Sequence, residues 1–280
     1  MRPPEGAYAP AIVEAYVESA HARGVTDIGF TEHLYRCREA APVLGRFWES
    51  EHRLDLAEAT RQFVEADQNL SLEAYVDAVL AAKSEGLPVK LGLEIDFFPD
   101  TYEAVFDLID PYPWDLLVGS VHWVGGWAID SHGQVHEFER RGVAQAWQDY
   151  FDLEVELARR GGVDVLAHVD VAKKYGWRPN VEPLGRYAEL VAAAAESGLA
   201  VEVSSQGLRN PAGEAYPSPV LLAMFQEAGV PITFASDAHT PEDVGHAHDE
   251  LVELARSCGY TGYLRFENRR RIEVSLEPER

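Results

Sequence analysis

The chain has 280 residues, is 46% hydrophobic, and carries a formal net charge of −23 with pI ≈ 4.7. That length suits one α/β barrel or two ordinary domains, and the acidity argues against nucleic acid as a partner, because gripping a phosphate backbone takes clustered Lys and Arg. Cys37 and Cys258 stand far apart, no apolar run reaches the ~18 residues of a membrane span, and Met1 to Gly6 lack a signal peptide's apolar stretch, so a cytoplasmic protein without disulfides or membrane contact is expected.

Ile12, Tyr16 and Ala20 predict a helix over 8–23, stopped by Gly24. A short strand follows from Val25 to Phe30 and leads into Thr31-Glu32-His33. The long segment after it holds His52 near Phe47 and Trp48, where a lid over a site would lie. A second helix is predicted over 71–85, capped by Ser71 and ended by Gly86, and then a strand over 89–95. The cycle continues with a helix over 101–110, a strand over 116–121, a helix over 142–160 and a strand over 163–167. An Ala-rich helix over 184–197 precedes a strand over 199–203, and a helix over 218–228 precedes a strand over 232–235. A helix over 242–257 and an edge strand over 271–274 complete the series. Arg269, Arg270 and Arg271 form the only basic cluster and read as a solvated terminal stretch.

Strands alternating with helices imply βαβ units and a parallel sheet in one domain spanning 1–280. An open doubly wound sheet and a closed barrel both satisfy that pattern, and the polar residues choose between them. The apolar runs end in Thr31-Glu32-His33, Glu94-Ile95-Asp96, Ser120-Val121-His122, Ala167-His168 and Ser236-Asp237-Ala238-His239. In a parallel barrel these ends meet on one face, where the loops build sites. A lone histidine after a strand is usually a loop or core residue, but four of them together with Glu94 and Asp237 make a ligand set. Mixed His and carboxylate ligands suit Zn²⁺, Mn²⁺ or Fe²⁺, and six of them exceed the need of one ion, so two to three ions are expected. His21, His246 and His248 read as surface residues of helices, while His132 and His136 lie in a polar loop beside the expected pocket. The strand over 199–203 ends differently, in small residues followed by Arg209, which suits bidentate binding of a phosphate.

In this order the motifs resemble the polymerase and histidinol phosphatase (PHP) family, and most closely its histidinol-phosphatase branch. The resemblance rests on Gly29 to His33, Leu91 to Asp96, Gly119 to His122, Ala167-His168, Ser236 to His239, and Gly207-Leu208-Arg209 with Pro211, Gly213-Glu214 and Tyr216-Pro217. It implies a distorted seven-stranded TIM-like barrel, (β/α)7, holding a trinuclear site. It further implies that Glu94 bridges two ions, that His122 and His168 join it on one, that Asp237 serves the other, and that His33 and His239 hold the third. Arg209 would grip the substrate phosphate and, with Asp237 and His239, form the catalytic set. The implied reaction is hydrolysis of L-histidinol phosphate, a small phosphate ester, in histidine biosynthesis, with Glu214 or Glu32 facing the substrate's cationic groups. The family's first strand, ending in His-x-His, has no counterpart here, so six inner strands are expected and the start is read as lying downstream of that strand. Three other readings compete. One is a phosphoesterase of the same family that acts on another small phosphate ester. A second is an amidohydrolase, which would place a Lys at a strand end, whereas Lys90 lies inside a strand and Lys173-Lys174 lie beyond His168. The third is a barrel that binds metal or phosphate without catalysis.

Overall fold

A computed structural model describes residues 10–276 of the chain. Helix α1 (Pro10–Ala22) buries Val13, Tyr16, Val17 and Ala20 at helical spacing and leads into β1 (Ile28–His33). The connection after β1 contains α2 (Ala41–Leu44) and α3 (Leu54–Asp67). No helix is assigned to this long segment from the sequence alone, yet α3 buries Leu56, Thr60 and Val64, one residue per turn. Phe47 holds this segment down by stacking on Phe98, with ring centroids 3.9 Å apart, and His52 faces solvent.

Helix α4 (Leu72–Ser84) is capped as predicted, the Ser71 hydroxyl accepting from the Ala74 amide at 3.3 Å. There follow β2 (Val89–Asp96), α5 (Tyr102–Ile109), β3 (Leu116–Ser120) and a small hairpin of β4 (Trp123–Val124) and β5 (Trp127–Ala128). Helices α6 (Glu137–Arg141) and α7 (Val143–Arg160) lead to β6 (Val165–Leu166), and α8 (Leu184–Glu196) leads to β7 (Ala200–Ser204). Helix α9 (Pro219–Glu227) precedes β8 (Ile232–Ala235), and α10 (His248–Ser257) precedes β9 (Gly262–Glu267) and β10 (Arg270–Ser275). No helix among the described residues is long and apolar enough to cross a membrane.

The six strands β1, β2, β3, β6, β7 and β8 form one parallel sheet in that order. Strand β2 shows how it is built. Leu91, Leu93 and Ile95 are fully buried, and Lys90, Gly92, Glu94 and Asp96 alternate with them on the other face. Gly92 is required there, since a Cβ would lie 2.8 Å from the Phe30 carbonyl oxygen and from Thr31 Cγ2. The sheet curls strongly. His33 ends β1 and His239 follows β8, the two edge strands, yet their rings are 6.1 Å apart. Among the described residues β1 pairs only with β2 and β8 only with β7, the six-strand arrangement of a TIM-like α/β fold.

The C-terminal part departs from expectation in three ways. The strand over 271–274 is one arm of the antiparallel β9–β10 hairpin and stands outside the main sheet, because Asn268 and Arg269, at φ 48° and 60°, make a two-residue turn. Leu264 and Phe266 of β9 pack on Val118, Val165, Ala167 and Ala200 inside the curl. The arginine cluster is partly anchored, since Arg269 Nε donates to Asp164 Oδ2 at 2.7 Å and Arg271 donates to the Gly198 carbonyl. The helix over 242–257 begins only at His248, interrupted by left-handed backbone at Gly245 and Ala247, φ 68° and 51°. His246 and His248 therefore turn to a cavity rather than sit on an outer helix face.

Candidate metal centre

The parallel register brings the polar strand ends to one rim. His33 lies opposite Glu94 and Asp96 opposite Ser120, two residues before His122. Glu94 sits at the centre of this group. Its Oε2 is 3.6 Å from His33 Nδ1, and its Oε1 is 3.6 Å from His122 Nε2 and 3.4 Å from His168 Nε2. The His122 and His168 rings are 4.9 Å apart, and those of His33 and His122 are 5.2 Å apart. Across the rim His239 Nδ1 lies 3.6 Å from Asp237 Oδ1, and Gln206 donates to the other oxygen of Asp237. A cavity of about 280 Å³ opens onto His33, Glu94, His168, Asp237 and His239.

The donors fit a cation. Glu94 Oε1, His33 Nδ1 and His168 Nδ1 are buried without a hydrogen-bond partner, an arrangement that costs free energy unless something else is bound. Glu94, His122 and His168 each offer an atom within 4.8 Å of the others, and so do His33, Asp96 and His122. Burial works against charge on Glu94, but His33, His168 and His122 outweigh it and hold its carboxyl well below the usual range. Burial likewise opposes charge on His122 and His168, and their carboxylate neighbours, Asp96 and Glu94, raise them to about 9 and about 10. In these groups proton and metal would compete for the same nitrogens. His168 and Asp237 hold φ angles of 23° and 46°, uncommon for residues with a Cβ and characteristic of functional positions.

Arg209 reaches the same rim from the turn after β7. One of its Nη atoms donates to the Ser236 and Asp237 carbonyls at 2.9 and 3.1 Å, while the other Nη is buried without a partner. The turn needs Gly207, where a Cβ would lie 2.0 Å from the Glu214 carbonyl oxygen.

Glu32 and Glu214, expected at the substrate, have other partners. Glu32 is 1% exposed and accepts from Arg36 at 2.7 Å, on the face of β1 opposite His33. Glu214 accepts from Lys173 and from Arg178, each at 2.8 Å. Asp96 has no assigned role in the sequence, although the Glu-x-Asp spacing on a strand places it on the Glu94 face. The ion pair of Lys174 with Asp130, at 2.9 Å, joins residues 44 positions apart and leaves no local signal. Asp130 is held below the usual range against its burial, first by Lys174 and then by His122.

Fold and site together define a TIM-like α/β protein with a buried His/carboxylate centre at its strand ends. The chain belongs to the PHP domain family, whose model matches residues 9–206. It is 31% identical over 245 residues to a probable histidinol-phosphatase of Deinococcus radiodurans, covering 87% of this chain and 86% of the relative. It is 25% identical over 260 residues to histidinol-phosphatase of Bacillus subtilis, covering 85% and 91%. The fold matches the crystal structure of histidinol phosphate phosphatase from Lactococcus lactis in complex with Zn, L-histidinol and phosphate. That match has a TM-score of 0.65 and 20% identity, and covers 92% of each chain.

Proposed function

We propose that this chain is a metal-dependent phosphate monoester hydrolase that converts L-histidinol phosphate and water to L-histidinol and phosphate. The observation that carries the reading is Glu94, buried and ringed by three imidazoles at 3.4–3.6 Å with Oε1 lacking a hydrogen-bond partner. The relatives named histidinol-phosphatase support the substrate, and the zinc in the Lactococcus lactis structure supports the kind of cofactor.

In this reading Glu94, with His122, His168 and Asp237, would hold two divalent ions of Zn, Mn or Fe type, and His33 and His239 would hold a third. Bound cations supply Lewis-acid stabilisation of the phosphoryl oxygens and lower the pKa of an attacking water toward ~7. The chain's own residues do the rest. Arg209 is locked by the two carbonyls it caps, and this directs its unpartnered Nη to a phosphoryl oxygen without a further loss of side-chain freedom. Gln206 fixes Asp237 by donating to one of its oxygens, which leaves the other for a ligand role. Glu32 and Glu214 act as braces, Glu32 under β1 and Glu214 under the Arg209 turn.

Metal-stripped protein supplied with Zn²⁺, Mn²⁺ or Fe²⁺ and a panel of phosphate esters tests the reading. Phosphate release from L-histidinol phosphate above the other esters is expected. Release from a different ester alone would move the substrate assignment while leaving the reaction type in place.

A further inference from the structure

We infer that Asp96 is a positioning residue that sets which nitrogen of His122 faces the metal centre, an assignment that rests on the metal reading above. Asp96 ends β2 two residues after Glu94, on the same face, and is 2% exposed. His122 Nδ1 donates to Asp96 Oδ1 at 2.6 Å, a short, charge-assisted bond between two buried groups. This directs Nε2 to Glu94 Oε1, 3.6 Å away. Ser120 Oγ lies 3.3 Å from the same Nδ1 and limits the ring from a second side. Neither His33 nor His168 is held this way, since Nδ1 of each is buried without a hydrogen bond.

A neutral imidazole carries one N–H and one lone pair, so a carboxylate on Nδ1 places the lone pair on Nε2 and raises its basicity. The alternative is that Asp96 is itself a ligand, since it forms a group with His33 and His122 whose atoms lie within 4.8 Å. The 2.6 Å bond argues for positioning, because it already occupies the His122 nitrogen that faces Asp96.

The test titrates metal-stripped wild type, Asp96→Asn and Asp96→Ala with Zn²⁺, reading ions bound per chain and affinity. Positioning predicts wild-type stoichiometry in both variants, an affinity lowered ~10–100-fold in Asp96→Ala, and a smaller loss in Asp96→Asn, whose amide oxygen still accepts from Nδ1–H. Loss of one ion per chain in both variants, or unchanged affinity in Asp96→Ala, overturns it. A second readout needs no metal. Side-chain ¹⁵N NMR of the metal-free protein at alkaline pH should show His122 as the Nδ1–H tautomer in wild type and Asp96→Asn, and as a mixture in Asp96→Ala. The same tautomer in all three overturns the assignment. Failure of wild type to bind zinc, with the NMR result as expected, overturns the metal reading instead.

Discussion

Replacing Lys173 with Met should destabilise the protein by about 3–5 kcal/mol, the range for breaking one side of a buried ion pair. Lys173 is fully buried, and its ammonium donates to Asp170 Oδ2 at 2.7 Å, Glu214 Oε2 at 2.8 Å and the Ala215 carbonyl at 2.8 Å. Methionine fills most of the space and supplies none of these bonds. Glu214 keeps Arg178 and is partly exposed, so its loss is small. Asp170 is fully buried and would retain only the Ser218 amide at 2.8 Å, so it carries most of the cost. In a chain of this size each kcal/mol moves Tm by roughly 2–4 °C, which gives a fall on the order of 10 °C. Calorimetry and urea unfolding of the metal-free protein measure it. Adding Asp170→Asn should restore at least half of the loss, because it removes the stranded charge and keeps an acceptor for Ser218. A loss under about 1 kcal/mol, or no recovery in the double variant, would show that Lys173 does not stabilise a buried Asp170 charge.

Arg209→Ala should lower kcat/KM for the phosphate ester ~10²–10³-fold with a fall in Tm of only a few degrees, from the two carbonyls it uncaps, and Arg209→Lys should recover only part of the activity, since an ammonium cannot cap two carbonyls and still present a second fixed donor. Steady-state kinetics with thermal melts of both variants check this. Glu94→Gln should cost at least one bound ion per chain by elemental analysis, because the amide removes the charge that opposes three imidazoles; full occupancy would show that Glu94 is no bridge. Glu154→Gln should flatten the pH dependence of stability. Burial pushes the Glu154 carboxyl from about 4.5 up to about 8 against the Tyr150 hydroxyl that donates to it. The folded chain therefore keeps this proton while the unfolded chain releases it, and stability falls as pH rises through that window. Urea unfolding at about pH 5 and about pH 8 reads the difference, which should shrink by a few kcal/mol in the variant.

The legible part of this protein was its strand ends. Apolar runs that finish in or just before His33, Glu94, His122, His168 and Asp237 bring these residues to one rim of a parallel sheet, and alternation along β2 sets Leu91, Leu93 and Ile95 on one face and Glu94 on the other. That rule also excludes Glu32 from the rim, since it adjoins His33 and must face the other way. Helix α3 was hidden because its buried stripe passes through Thr60, a polar residue whose hydroxyl is satisfied by the Gly126 carbonyl, 66 residues away. Contacts of that range are invisible to local spacing. The brace of Glu214 by Lys173 and the bond of Asp96 to His122 belong to the same class, and each changes what a conspicuous carboxylate does. The β9–β10 hairpin was missed because its turn, Asn268-Arg269, carries no glycine and relies on left-handed backbone at both positions.

If the Glu94 centre binds divalent metal and hydrolyses L-histidinol phosphate with it, phosphate release by metal-stripped protein should return as Zn²⁺, Mn²⁺ or Fe²⁺ is added back. No release is expected without metal, release should rise with bound ions per chain, and Glu94→Gln should give none at any metal concentration. Release that persists in the stripped protein, or that survives in Glu94→Gln, would contradict that assignment.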